Sequence, residues 1–596
     1  MAIPERQRSF TAASSGFTSV RQLIPLVSPV TAPKADLVRP TDSGKLSRVI
    51  YYSRFARRFA GSSAFAGFLL AAAFAASAQD LAHTFLKGPY LQAPGAETMS
   101  IMWESPTNQP GLVHYGLMAT LNQELRLESP RELILSSSDI GDNVAAGHAT
   151  KAVFLYEMTL TNLEPNSVYT YSAETDDVRT PPRRFKTFGA HPNKVTFIAY
   201  GDTRSNPELH AAIAANFKQY SPDFILHTGD LVTAGKRYDL WGQQFFAPLA
   251  QVIDEIPILP AIGNHEQDGI NYLHYLHLPG QETTWYSYDV GPVHVLVLDY
   301  RYEKATDAQF AFAQHDLLTA KSPWKIVMLH FPVFNIGGHG THWGHAAYLP
   351  LFHQTKVDLV IAGHSHIYER FYPVASATGA DTWPITYITT GGGGAPLYAS
   401  FPHPALAAEA ATNHFVVFEA TPTSLKGRAF TKDNIEFDRF ELKKTHGRLS
   451  ADDRSKVYSE EALKLAMDAS SSLTAELASA PSPDSTTRVR FTIRPLGKAG
   501  KPVILEISLT PESAAHYELK NGPASVTAPK PGEANRIVWA CVQIEKSQKA
   551  EGSGTRAQLS APLVFEAKVK SGNLETLAYG QKSRVSEAAE AAAKKQ

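Results

Sequence analysis

A single cysteine, Cys541, serves all 596 residues. No intrachain disulfide can form, and thiolate zinc clusters and CxxC redox motifs are excluded, so any metal must be held by histidine nitrogens and oxygen ligands. Charge of one sign is lacking too. Lysine plus arginine number 56 against 57 for aspartate plus glutamate, a formal net charge of −1, and no basic stripe of the kind nucleic-acid binding needs is evident. No G-x-S-x-G elbow occurs, which removes a serine-hydrolase reading. No repeat period of about 20 to 50 residues marks a solenoid. Apolar residues, by contrast, make up 43% of the chain, too many for a disordered protein and, over this length, too many for one core, so a multidomain globular protein is expected.

Residues 1 to about 58 are polar and basic and lead into Arg54, Arg57 and Arg58; Gly61 to Ala76 is almost wholly apolar, and Ala76-Ser77-Ala78 follows. Basic, then apolar, then A-x-A is the order of a secretory signal, with cleavage expected after Ala78 and export to the periplasm or the extracellular space. The competing reading is an uncleaved anchor, because the run is about long enough to span a bilayer; its small residues and the lack of a positive stop after it favour the signal. No cysteine follows for a lipid anchor, so cleavage would leave no stable membrane attachment. The leader is long for a signal, either an over-called start or a real extension. Ser586 to Gln596 reads as a polar helical tail.

Between these ends the periodicity changes twice. Thr98–Trp103, Leu112–Tyr115, Phe154–Met158 and Val168–Tyr171 are strand-like runs separated by Pro, Gly and Asn, so a β-sandwich is expected over 79–189. Leu163-Glu164-Pro165 ahead of Tyr169 has the pattern of the tyrosine corner of fibronectin type III modules. From 190 to 442 apolar strands alternate with longer helical or loop segments, an α/β pattern. From 443 to 596 a helical stretch near Ser455–Leu477 is followed, after a linker around Ser479–Pro483, by alternating runs at Val489–Ile493, Val503–Ile507 and Leu563–Ala567, read as a second, small β-domain ending in the polar tail.

The chemistry is concentrated in the α/β segment. Apolar runs end on Gly201-Asp202, Gly229-Asp230, Gly263-Asn264-His265-Glu266, His330 and Gly363-His364-Ser365-His366. In an open α/β sheet such strand ends gather around a ligand. Asp202, Asp230, Asn264, His330, His364 and His366 together offer a mixed oxygen and nitrogen set that suits Zn, Fe or Mn and disfavours calcium. Six ligands exceed the needs of one tetrahedral ion, and a carboxylate can bridge, so two ions about 3.5 to 4 Å apart are the simplest arrangement. Two divalent ions, two carboxylates and one hydroxide leave a net charge of about +1, favourable to a phosphate ester. Each motif alone is most often a turn or a loop histidine. All of them in this order, each after an apolar strand, are not readily a coincidence.

The five blocks resemble those of the calcineurin-like metallophosphoesterases, whose domain is an α-β-β-α sandwich. Gly88–Gln92, Trp285–Gly291, Gly363–Arg370 and Gly391–Gly394 look like the purple acid phosphatase branch, which carries an N-terminal fibronectin-like domain; the similarity covers about residues 85 to 440. The resemblance implies a dinuclear phosphomonoester or phosphodiester hydrolase using a metal-held hydroxide. Asp230 would bridge two ions, Asp202 and His366 would hold the first, and Asn264, His330 and His364 the second. His265 would act as proton donor or phosphoryl contact, His339 would bind the phosphoester substrate, and Arg204 would either clamp it bidentately or form a structural salt bridge, with His342 and His345 as secondary candidates. One departure stands out. Purple enzymes have tyrosine three residues after the bridging aspartate, where this chain has Thr233, and relatives outside that branch have histidine two residues after the first aspartate, where it has Arg204. Asn206, water or a rearranged Tyr238 would then fill the gap. The alternative function is an exported binding or surface protein whose metallophosphoesterase domain has lost turnover.

Overall fold

The computed structural model describes residues 80–135, 151–189, 192–279, 283–376, 383–445, 447–449, 457–477, 486–497, 501–522, 525–544 and 563–579. The signal-like segment ending at Ala78, the linker around Ser479–Pro483 and the tail from Ser586 lie outside them. Among the described residues no helix is long and apolar enough to cross a membrane.

The first β-rich region pairs two sheets. Lys87–Gln92, Met99–Ser105, Lys151–Leu160 and Arg131–Leu135 form one; Gln123–Leu127, Gly111–Leu117, Val168–Thr175, Val178–Arg179 and Arg183–Lys186 form the other. Period-2 alternation turns Ile101, Trp103, Tyr156 and Met158 from the first sheet, and Val113, Tyr171 and Phe185 from the second, into one core. Trp103 and Tyr156 stack there at 4.8 Å. The expected tyrosine corner forms: the Glu164 N–H donates to the Tyr169 hydroxyl at 2.8 Å.

Two seven-stranded sheets follow. In one, Ile258–Pro260, Phe224–His227 and Val195–Tyr200 lie parallel and continue into the antiparallel strands His414–Thr421, Ser424–Thr431 and Glu436–Thr445. In the other, Val293–Val297, Trp324–Met328, Leu359–Ala362 and Thr386–Thr390 are parallel neighbours. The near-continuous apolar character of these central strands follows from burial on both faces. Their inner faces share one core, to which the helices Pro207–Ala214, Ala308–Thr319 and Tyr348–Thr355 add Ile213, Leu317 and Phe352. This is the expected α-β-β-α build.

The last region has its own core between two four-stranded sheets, where Phe491 and Phe565 meet edge-on at 4.9 Å. The stretch read as helix to Leu477 differs: the helix is Glu460–Ser472, and Leu473–Leu477 is a strand paired with Thr486–Ile493. Ser470, Ser471 and Ser472 are weak helix formers, and the ladder offered by the neighbouring strand decides the switch. Leu463 and Met467 of this helix join the core of the two large sheets.

A buried network joins the first region to the loop after Asp230. Lys87 pairs with Glu104, and Glu104 accepts hydrogen bonds from the hydroxyls of Tyr238 at 2.6 Å and Tyr275 at 3.0 Å. A buried carboxylate needs such partners. They commit Tyr238 to the interface.

Candidate active site and metal centre

Three candidate strands end together in one sheet and two in the other, and hydrogen bonds stitch the loops beyond them. The Asp202 N–H donates to Gly229 O at 2.9 Å and the Gly363 N–H to His330 O at 3.0 Å. Asp202, Asp230 and His364 each follow a glycine and each have left-handed backbone, with φ of 56°, 56° and 66°. Non-glycine residues rarely sit there, and such strain clusters at functional sites. Glycines provide the clearance these loops need: a Cβ on Gly363, ahead of His364, would collide with the Asp202 carboxylate, and one on Gly263, ahead of Asn264, with the backbone and carboxylate of Asp230.

The six expected ligands converge. Asp202, Asp230 and His330 place ligand atoms within 4.8 Å of one another, all buried. His330 Nε2 lies 3.3 Å from Asp230 Oδ1 and 3.0 Å from Asn264 Oδ1. The His364 ring is 5.1 Å from that of His330, and the His364 N–H donates to Asp202 Oδ2 at 2.9 Å. His366 Nε2 lies 3.5 Å from Asp202 Oδ1.

Protonation can be argued from the far side of each ring. His330 Nδ1 is 2.8 Å from Thr228 O, and His366 Nδ1 is 2.7 Å from Pro396 O. A carbonyl only accepts, so Nδ1 carries the hydrogen and the neutral ring turns a lone pair on Nε2 inward. That lone pair on His330 then faces two oxygens at hydrogen-bond distance with no proton between them. Asp202 Oδ1 is buried and accepts no hydrogen bond among the described residues. Lone pairs and carboxylates aimed at one another are what divalent cations relieve, so the residues fit a metal centre. Burial pushes His364 down to about 2, which keeps its ring neutral. Burial alone would raise Asp230, but the His265 N–H and the Arg204 guanidinium, both bonded to the carboxylate, act against it and favour the charged form.

The remaining candidates border this cluster. The His265 N–H donates to Asp230 Oδ1 at 2.9 Å, its Nδ1 is 2.6 Å from Thr233 O, and its Nε2 stops 3.8 Å from Asp230 Oδ2. With Nδ1 held by the carbonyl, Nε2 is turned toward the cluster. The Arg204 Nε donates to Asp230 Oδ2 at 3.1 Å, and its terminal nitrogen is 3.2 Å from His366 Nε2. Its guanidinium thus lies against Asp230 and His366, two of the expected ligands. His339 stacks on His364 at 5.0 Å. The secondary candidates point elsewhere: His345 Nε2 is bonded to Val333 O, and His342 is exposed beside Asp468.

Neither side chain expected to fill the first position is in place there. Asn206 caps the helix Pro207–Ala214, its side chain accepting the Leu209 N–H at 3.0 Å. Thr233 gives both its N–H and its hydroxyl to Gln244 Oε1, at 2.7 and 3.0 Å. With Tyr238 bound to Glu104, its phenol is not set to reach an ion at the first position, and the iron-loaded protein is expected to lack the intense visible band of a tyrosinate complex. Absorption spectra of the wild type and of Tyr238→Phe check this; a band that disappears in the variant would contradict it.

Two residues within the motifs do work that sequence reading did not assign. Glu266 accepts the N–H groups of Asp230 and Gly263 on Oε2 and of Leu231 and Val232 on Oε1, tying the Asp230 loop to the Asn264 loop. Glu369 likewise accepts the N–H groups of Ile336 and Gly337 and fixes the loop that carries His339. Glu266 and Glu369 lie within the motif blocks Gly263–Glu266 and Gly363–Arg370, so their positions were visible and their partners were not.

Residues 191–368 match the family model of the Calcineurin-like phosphoesterase. Acid phosphatase type 7 of Mus musculus is 26% identical over 323 residues, 48% of this chain and 70% of the relative. Purple acid phosphatase 21 of Arabidopsis thaliana is 26% identical over 288 residues, 42% of this chain and 63% of the relative. Among solved structures, the purple acid phosphatase from yellow lupin seeds shares the fold at a TM-score of 0.50 and 18% identity, over 60% of this chain and 74% of that one. The chain therefore carries a calcineurin-like phosphoesterase domain homologous to the purple acid phosphatases, behind a β-rich N-terminal region of fibronectin III-like build.

Proposed function

We propose that the protein is an exported, metal-dependent phosphoester hydrolase with a dinuclear centre, built as a leader over 1–78, a fibronectin-like domain over 79–189, the phosphoesterase domain over 190–442 and a C-terminal β-domain over 443–596. The observation that carries the activity is the convergence of Asp202, Asp230, Asn264, His330, His364 and His366, with imidazole lone pairs and an unpartnered carboxylate oxygen facing one another. Asp202 and His366 would hold one ion, Asn264, His330 and His364 the other, and Asp230 would bridge; Fe, Zn and Mn all suit this donor set. When bound, the ions supply Lewis acidity toward the phosphoryl group and an activated water.

The chain's own residues do the rest. Thr228 and Pro396 fix the ligand tautomers through their carbonyls. His265, steered by Thr233 O at Nδ1–H, acts as the imidazolium: its Nε2–H faces the leaving oxygen and passes its proton to the departing alkoxide, leaving the ring neutral. His339 meets the phosphoryl oxygens. Arg204, once released from Asp230, would clamp them as a charged fork.

Purified protein is expected to hydrolyse p-nitrophenyl phosphate or its bis ester, to lose that activity on chelation and to regain it with a divalent ion. The ratio of the two rates assigns monoester or diester preference. Arg204 against Asp230 and His366 favours a second reading, a domain that binds without turnover. Protein that takes up metal and binds phosphate yet hydrolyses neither ester would establish that reading instead.

A further inference from the structure

The loop after Thr386–Thr390 runs flat across the site because it is almost all glycine. A Cβ on Gly391, Gly393 or Gly394 would collide with the carbonyls of Ser365, Gly201 or Thr203. The Ala395 N–H donates to Asp202 O at 2.8 Å and the Tyr398 N–H to His366 O at 3.2 Å. This anchoring delivers Tyr398 onto the cluster. Its ring stacks on His366 with centroids 4.5 Å apart and planes 12° apart, and its hydroxyl lies 2.7 Å from His339 Nε2. His339 is held from its backbone as well, its N–H donating to Ser365 Oγ at 3.0 Å.

We propose that Tyr398 is a positioning residue for the phosphoryl group: its phenol O–H donates to His339 Nε2 and so leaves His339 Nδ1–H as the donor to a phosphoryl oxygen. The chemistry requires this polarity. A phosphoryl oxygen only accepts, so the ring nitrogen that meets it must carry a hydrogen. A neutral imidazole has one N–H, and only a phenol acting as donor at Nε2 places it on Nδ1. Tyr398 thereby does for the substrate histidine what the carbonyls of Thr228 and Pro396 do for the ligand histidines.

The proposal rests on the phosphoester reading above, and phosphate binding separates the two. Tyr398→Phe keeps the stacked ring and removes only the hydroxyl. Calorimetry with inorganic phosphate on the metal-loaded full chain is expected to show binding weakened about tenfold, the scale of one hydrogen bond to a charged group. KM for p-nitrophenyl phosphate should rise by a similar factor with a smaller change in kcat, and metal content should be unchanged. Adding Tyr398→Phe to His339→Ala should weaken phosphate binding no further than His339→Ala alone, because residues acting through one contact are not additive. Wild-type phosphate affinity in Tyr398→Phe, full additivity with His339→Ala, or loss of metal in the variant would each overturn the proposal. A wild-type protein that neither binds phosphate nor hydrolyses either ester would overturn the phosphoester reading and this proposal with it.

Discussion

Asp230→Asn is expected to lower kcat on p-nitrophenyl phosphate by at least about 10³-fold, several kcal/mol of transition-state stabilisation, and to reduce the metal that the protein retains. The side chain is buried at the centre of the cluster, 3.3 Å from His330 Nε2, with the His265 N–H and Arg204 Nε as donors. An amide fits the same space, so the change removes charge with little change of shape. Its neutral oxygen bridges two cations poorly, and its NH₂ turns a donor toward positions meant for metal. The cationic and N–H surroundings that hold the Asp230 carboxyl low keep it ionised throughout the neutral range, so the wild type has a charge to lose. Steady-state kinetics with elemental analysis of the same sample check this. Unchanged turnover would remove the bridging role.

His265→Ala is expected to lower turnover by about 10²-fold or more while the metal stays bound. His265 Nδ1 is committed to Thr233 O, and its Nε2 stands 3.8 Å from Asp230 Oδ2, further away than the ligand nitrogen of His330. A general acid matters most where the leaving group is a poor one. The loss should therefore be greater on an alkyl phosphate than on p-nitrophenyl phosphate, whose phenolate departs with little help. Loss of metal in the variant would make His265 a ligand. Equal losses on both substrates would leave it a phosphoryl contact and remove the acid role.

Much of this site was legible because its signals are local. An apolar run followed by Gly-Asp or Gly-His states both a strand and the turn beyond it, and the tyrosine corner is written within Leu163–Tyr169. What was not legible depends on partners far along the chain. Tyr238 lies a few residues after Thr233 and was a candidate to approach the first ion, yet its hydroxyl is taken by Glu104, 134 positions earlier. Tyr398 and His339 are 59 positions apart, and no spacing rule joins them. Ser470–Ser472 carry weak helix propensity in either state, so the change to strand at Leu473 was set by pairing with Thr486–Ile493, beyond the reach of local pattern. Arg204 read from its place after Asp202 as a phosphate clamp or a structural salt bridge; its partners, Asp230 and His366, are set by the folded loops.

The most direct test of the central claim is the turnover of p-nitrophenyl phosphate by chelator-stripped protein as zinc or manganese is added back in known equivalents. A dinuclear centre predicts that activity rises and levels off at two equivalents per chain, with the ion at Asp202 and His366 bound more weakly than the other because it must displace Arg204 from Asp230 and His366. Absence of turnover at every ion concentration, with both a monoester and a diester, would contradict it.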